Sequence, residues 1–279
     1  MKRHLRNFLL PLIIPIIFLC FWDVMAGRIQ NDILLPEVGQ VAALIADPSQ
    51  DLVALGTLPM NTLISLARVF TGYLVAVLLG IPLGIFMGYI HGAEKLFSSF
   101  LGFFRAIPPL AWVPLVLAWF GISSLASLFN IPIGPLYPYF HNIKLSMVFI
   151  IFIGGFYPIL TSTIHGVEMV PLTYLDAAKV MGANRRDIFC KVLLPCALPS
   201  IVNGMRIGLG VAWMCLVSAE MLPGSLSGVG YLITHAYDVG RTDVVVTGMI
   251  SIGATGAVMD VFFRIFENRK FAWKRLTRQ

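Results

Sequence analysis

The sequence predicts an all-α, polytopic membrane protein with about six transmembrane helices. Composition points there first: of 279 residues, 58% are apolar and only 12% are charged, about half the charged share of a soluble domain. Mean hydropathy is +0.85. The surface of a soluble domain this size needs more charge than that, which excludes an ordinary soluble enzyme and a disordered chain. The second observation is that the apolar residues gather in six runs. The third is that the basic residues gather between particular runs and not others, so a net charge of +6 need not mean nucleic acid.

The runs cover about Phe8 to Ala26, Leu63 to Tyr89, Phe103 to Phe120, Leu145 to Ile164, Leu198 to Leu222 and Val244 to Phe266. Each approaches the ~20 residues that a helix needs to cross the hydrocarbon core. The first follows Lys2, Arg3 and Arg6 and so invites a signal-peptide reading. It is long for that, contains Pro11 and Pro15, and is followed by further spans; it reads as a retained helix. Six spans put both termini on one side. Taking the N-terminus, 90–105, 165–195 and the C-terminal tail as one face collects Lys2, Arg3, Arg6, Lys95, Arg105, Lys179, Arg185, Arg186, Lys191, Arg264, Arg269, Lys270, Lys274, Arg275 and Arg278. The other face has Arg28, Lys144 and Arg241, with Arg68 and Arg206 inside spans. The positive-inside rule then places both termini in the cytoplasm of a plasma membrane protein. Anionic headgroups account for the basic balance, and no nucleic-acid partner is expected.

The expected organisation is an N-terminal helix and outer segment over 1–60, a transmembrane core over 61–268 containing a cytoplasmic segment at 166–194, and a basic tail over 269–279. Outside the membrane, 38–45 reads as a short amphipathic helix, and the Pro/Gly-rich stretch 121–144 as an irregular loop. Cys20, Cys190, Cys196 and Cys215 form no CxxC pair and read as small buried hydrophobes. His91, His141, His165 and His235 have no metal-ligand spacing, so no metal is expected.

The segment 165–194 is polar but helix-compatible. Pro171 suits a helix start and Thr173 a cap. Leu172, Leu175, Ala178 and Val180 form a partial apolar stripe, and Ala177 with Ala178 leaves one side smooth. Gly182 is a natural stop, after which Asn184, Arg185, Arg186 and Asp187 open a second helix leading into the fifth span. Such an element either docks another protein or lies against the membrane surface; the residues alone leave both open.

Asp176-Ala177-Ala178, Gly182, Val192 and Leu194-Pro195 resemble the "EAA" signature of membrane subunits of ABC importers, with Asp176 where the family has Glu. Other stretches are similar to its nitrate/sulfonate/taurine-type permeases: Leu34 to Val38, Ser65 to Val69, Gly80 to Gly84, Ile107 to Trp112, Ala219 to Leu222 and Gly228 to Ile233. The resemblance spans about 34–260. It implies a type I importer permease fold and a pathway for a small anionic solute such as nitrate, a sulfonate, taurine or bicarbonate. It also implies coupling through Leu172, Tyr174, Leu175, Asp176, Ala177, Ala178 and Gly182 to a separate cytoplasmic ATPase that hydrolyses the ATP. An outer solute-binding protein and a second copy of the permease complete the implied assembly. The chain has no GxxxxGK[ST] loop of its own, so neither an enzyme nor a bound cofactor is expected.

Ionisable groups inside spans are costly and are either paired or line a cavity. Arg68 and Glu220 lie near the outer ends of their spans; Arg206 and Asp260 lie deeper. Pairing at matching depth (Arg68 with Glu220, Arg206 with Asp260) is the preferred reading, and an anion path past either arginine is the other. Gly80, Gly84 and Gly88 on the second run, and Gly204, Gly208 and Gly210 on the fifth, read as helix-packing positions. Pro108, Pro109 and Pro114 should bend the third run. Two other classes fit the residues less well. A membrane-embedded lipid-modifying enzyme needs a polar catalytic cluster, and an ion-coupled carrier usually needs two related halves; neither pattern is seen.

Overall fold

The structure, a computed structural model, describes residues 2–121, 123–130, 132–134, 137–222 and 225–270; for residues 2–12, 91, 93–95, 138 and 139 only the backbone is described. The basic tail expected over 269–279 lies outside the described residues from 271 onward, as do the side chains of Lys2, Arg3, Arg6, Lys95 and His91. Every element described is helical. Only two isolated β-bridges occur among the described residues, Asp51 with Thr57 and Ser124 with Lys144.

The first run lies in α1 (Lys2–Ile29) and the outer amphipathic segment is α2 (Val38–Ala46). The second run is α3 (Leu58–Tyr89). The third is not one straight span. It is divided between α4 (His91–Arg105), a 3-10 turn (Pro109–Trp112) and α5 (Val113–Phe120), and the pieces Leu96–Arg105 and Pro109–Phe120 meet at 86°. The cause is the Pro108-Pro109 pair: a residue before proline is pushed out of the helical region, and Pro108 sits at ψ 138°. The 121–144 stretch is less irregular than expected. It contains α6 (Leu125–Leu128), started by a Ser124 capping box, and α7 (Tyr137–His141).

The remaining elements are α8 (Leu145–Glu168), α9 (Leu172–Val180), α10 (Arg185–Asp187), a π-helical turn (Ile188–Leu193), α11 (Leu194–Glu220), α12 (Val229–Asp238) and α13 (Thr242–Lys270). Among the described residues four helices are long and apolar enough to cross a membrane, or five if the bent pair counts. The remaining run of the expected six is in α1, whose exposed residues include Ile14, Ile17, Phe18 and Phe21. Of the cysteines only Cys215 is buried; Cys20 and Cys190 are exposed, so burial explains one of the four.

The chain forms two compact units, each discontinuous in sequence: the described residues of Met1–Ile64 with Ser227–Ala254, and those of Ser65–Leu226 with Thr255–Gln279. In the first, Leu44, Leu52, Leu232, Ala236 and Val244 make the core. Asn61 fastens the start of α3 to α12: its Nδ2 donates to the Leu55 carbonyl at 3.0 Å and its Oδ1 accepts from the Gly228 N–H at 2.9 Å. Sequence reading missed α12, although Val229, Leu232, Ile233 and Ala236 carry a helical period and are all buried.

The second unit is built around α8. Along α3, Gly72, Ala76, Gly80, Gly84 and Gly88 recur every four residues; along α8, so do Ile151, Gly155, Ile159, Thr163 and Val167. The two rows meet in parallel. A Cβ added at Gly72 would stand 2.6 Å from the Ile151 Cβ, one at Gly84 2.6 Å from the Thr163 Cβ, and one at Gly88 2.9 Å from the Val167 Cβ. On its other side α8 meets α11 antiparallel. A Cβ at Gly204 would stand 2.4 Å from the Ser162 Cβ, and one at Gly208 2.8 Å from Ile159 Cγ1. A Cβ added at Gly210, grouped with these in the sequence reading, would meet nothing within 4 Å among the described residues, so Gly210 does not belong to the contact. Apolar lipid supplies no hydrophobic drive between helices, so close van der Waals approach has to hold them. Gly84→Ala and Gly208→Ala should therefore each lower stability by about 1–3 kcal/mol, while Gly210→Ala leaves it unchanged or raised. Thermal unfolding of the purified protein in detergent reads the difference.

Candidate functional site

The 166–194 segment folds as a tight helical hairpin. Pro171 is the N-cap of α9, without a side-chain cap bond; Thr173 does not cap it. The C-terminus is closed by a complete Schellman motif: Ala183 N–H donates to the Ala178 carbonyl at 3.0 Å and Gly182 N–H to the Lys179 carbonyl at 2.9 Å. Gly182 has φ +82° and open space around it, so the backbone conformation demands glycine and no neighbour does. Asn184 then caps α10, its Oδ1 accepting from the Asp187 N–H at 2.8 Å. Leu194 N–H bonds five residues back to the Phe189 carbonyl. Pro195 next to it has no N–H for the preceding turn, which accounts for the local π widening.

The expected apolar stripe is divided between two faces. Ala178 is buried and Leu175 packs with Phe189 against Val167, Val170, Leu193, Ala197 and Ile201, which holds the hairpin to α8 and α11. Leu172 is 73% exposed, Tyr174 53%, Met181 80% and Val180 88%. Ala177 is exposed beside them, and among the described residues Asp176 is engaged along its own helix, by Lys179 Nζ at 2.8 Å. A short, firmly capped helix thus presents an unsatisfied apolar face.

The intramembrane charges divide differently. Arg68 is 2% and Glu220 0% exposed, with Arg68 Nη1 at 2.7 Å from Glu220 Oε1. Arg68 Nε also donates to the Asn142 carbonyl at 2.9 Å, and Ser65 Oγ donates to the carboxylate at 2.9 Å. Asn142 was not singled out from sequence, and Ser65, named there only as part of the Ser65 to Val69 stretch, was given no role of its own, although it sits one helical turn before Arg68. Arg206 is held loosely, 3.8 Å from Asp260 and 3.7 Å from Glu267, with Asn203 Oδ1 at 2.9 Å. Asp260 lies nearer to Arg264, at 2.7 Å.

Arg105, counted in the sequence reading with the basic residues of the cytoplasmic face, ends α4 and shares cavity walls with Tyr157 and Thr161. These stand eleven and seven residues from the end of α8, or roughly 10–16 Å into the helix. Two cavities, of 340 Å³ and 270 Å³, share Arg105 in their walls.

The described chain is thus a bundle of spanning helices with a capped hairpin between α8 and α11, and the comparisons with known proteins put it in a family. Residues 80–271 match the model for the binding-protein-dependent transport system inner membrane component. The chain belongs to this family. A putative ABC transporter permease of Methanocaldococcus jannaschii is 42% identical over 275 residues, covering 99% of this chain and 96% of that one. The bicarbonate transport system permease CmpB of Synechococcus elongatus is 30% identical over 94% of this chain and 88% of its own. The taurine permease TauC of Escherichia coli is 30% identical over 93% and 87%. In fold, the permease matches a solved inward-facing structure of the MetNI methionine ABC transporter with a TM-score of 0.58, at 20% identity, over 76% of this chain and 95% of that one. It is a transport subunit of an ABC importer and not itself an enzyme.

The buried Arg68–Glu220 pair should respond as a unit. Glu220→Ala alone strands a buried cation and should cost about 3–5 kcal/mol, whereas Arg68→Met with Glu220→Leu should recover most of the loss. A thermal-unfolding double-mutant cycle in detergent measures the coupling.

Proposed function

We propose that the permease carries a small oxyanion inward by alternating access, driven by a separate cytoplasmic ATPase that docks on α9. The observation that carries this reading is the exposed apolar face of α9, fixed on a hairpin packed against α8 and α11. Leu172, Tyr174, Asp176 and Ala177 form the contact face in this reading. Leu175 and Ala178 transmit its movement to the spans, and Gly182 holds its angle. Closure of two ATPase subunits on ATP would draw two such hairpins together, one from each of two permease copies, and tip the pathway between its two open states. The ATP stays with the partner, and no cofactor is needed on this chain.

The named relatives support the anionic solute, since bicarbonate and taurine are what the permeases CmpB and TauC are named for. In the same reading an outer binding protein delivers the solute and both termini are cytoplasmic. Transport is carried by the core over 61–268, and the buried Arg68–Glu220 pair serves as a static clamp. Arg206 and Asp260 belong to a looser charge cluster near the end of α13.

The test is Gly182→Val. A β-branched residue at φ +82° disfavours the cap by about 1–2 kcal/mol without filling any occupied space. Reconstituted with its ATPase and binding protein, this variant should move at least about tenfold less solute per ATP hydrolysed. Normal transport per ATP would mean that α9 does not couple.

A further inference from the structure

We infer that Arg105, together with Tyr157 and Ser162, forms an anion-recognition station in the translocation pathway. The inference rests on the reading of the solute as an oxyanion, and adds to it the group that meets the charge.

Three arginines can be compared within the spanning unit. Arg68 is neutralised by Glu220 at 2.7 Å, and its guanidinium is further occupied by the Asn142 carbonyl. Arg206 has two carboxylates within 4 Å. Arg105 has no carboxylate at ion-pair distance and no hydrogen bond to any described residue. Ionisable groups beside spanning helices are paired or line a cavity or pathway. Arg105 is exposed and has no carboxylate beside it among the described residues, which leaves its guanidinium open to an incoming anion.

The 340 Å³ cavity beside Arg105 is suited to that charge. Its volume lies at the small end of the ligand-pocket range of about 300–1,000 Å³, ample for a nitrate- to taurine-sized solute. None of its described lining residues is acidic, and its polar side chains are Arg105, Tyr157, Thr161 and Ser162. Thr161 is already committed, its Oγ1 donating to the Tyr157 carbonyl at 2.9 Å. The hydroxyls of Tyr157 and Ser162 have no partner among the described residues. Two hydroxyl donors and a planar guanidinium fork around an otherwise apolar space suit a carboxylate, sulfonate or nitrate group. The 270 Å³ cavity shares Arg105, Tyr157 and Thr161 and continues along α8 toward His165 and Glu168. The first cavity has no acidic residue in its described lining, so the charge should rest there.

Ile107 and Pro109, at the break between α4 and α5, line the same first cavity. The 86° bend between α4 and the segment that follows it therefore lies at the wall of this cavity.

The experiment is uptake into proteoliposomes containing the permease with its ATPase and saturating binding protein. The probes are labelled nitrate, taurine, ethanesulfonate and bicarbonate, each tested separately. For whichever anion wild type carries, Arg105→Gln should slow uptake about tenfold or more, as expected for loss of a charge-assisted contact. Arg105→Lys should restore at least half the rate, and Tyr157→Phe should slow uptake about threefold. If wild type carries one of the anions and Arg105→Gln carries it at more than half that rate, the station is wrong and the anionic-solute reading stands. Should wild type carry none of the four, the anionic-solute reading falls and the station with it. If Arg105→Gln fails to assemble with the ATPase, Tyr157→Phe decides, and a full wild-type rate in that variant overturns the inference.

Discussion

The close approach of α8 to both α3 and α11 is the constraint on which the spanning unit depends. Lipid tails are as apolar as leucine, so helices in a bilayer gain little by hiding apolar surface from one another. They gain by touching over a long contact, and only small side chains allow that. The row from Gly72 to Gly88 on α3, and Gly204 and Gly208 on α11, admit the side chains of α8 to distances that a single added carbon would violate. With two of its faces committed in this way, α8 has a fixed rotation. That rotation determines which of its residues are left for other work: Tyr157 and Thr161 line the cavity beside Arg105, with Ser162 at the edge of the α11 contact.

Both ends of this sandwich are then closed by different means. Toward the start of α8, Arg68 and Glu220 tie α3 to α11 and reach the Asn142 carbonyl just before α8 begins. A buried pair of this kind is a specificity device more than a source of stability, because its attraction is largely offset by desolvation. At the other end the contacts are apolar. Val167, Val170, Leu193, Ala197 and Ile201 hold the hairpin, and the Schellman cap at Gly182 sets its angle. In the proposed cycle this asymmetry matters, since the hairpin end is the one that moves with the ATPase and an apolar seam tolerates sliding better than a directed ion pair.

Charge placement follows the same economy. Arg68 has a dedicated carboxylate and Arg206 shares a loose cluster with Asp260, Glu267 and Arg264. Arg105 alone of these three stands in a cavity wall without one. The surroundings differ as well: Arg68 is buried and Arg206 half-buried, whereas Arg105 is exposed and so accessible to a solute.

Much of this was legible in the sequence, for identifiable reasons. Apolar runs near 20 residues, glycines at four-residue spacing and the Asp176-Ala177-Ala178…Gly182 pattern are local and periodic, so they survive without a fold. The family, the helical class, α2, α9 and the second helix opened by Asn184 all came from such signals. α12 was missed because its helical period is short and interrupted early by Gly230. The broken third run was underestimated because two prolines announce a bend but not its angle. Arg105 reads along the chain only as the end of the 90–105 segment; that it shares a cavity wall with Tyr157 depends on residues far apart in sequence. By itself the sequence determined which segments lie in the membrane and where a helix must stop, since hydropathy, proline and left-handed glycine act on neighbouring residues. Only the tertiary structure decided which faces of α9 are free, which glycines touch α8 and which of Arg68, Arg105 and Arg206 has a carboxylate beside it among the described residues, because those depend on distances between residues far apart in the chain.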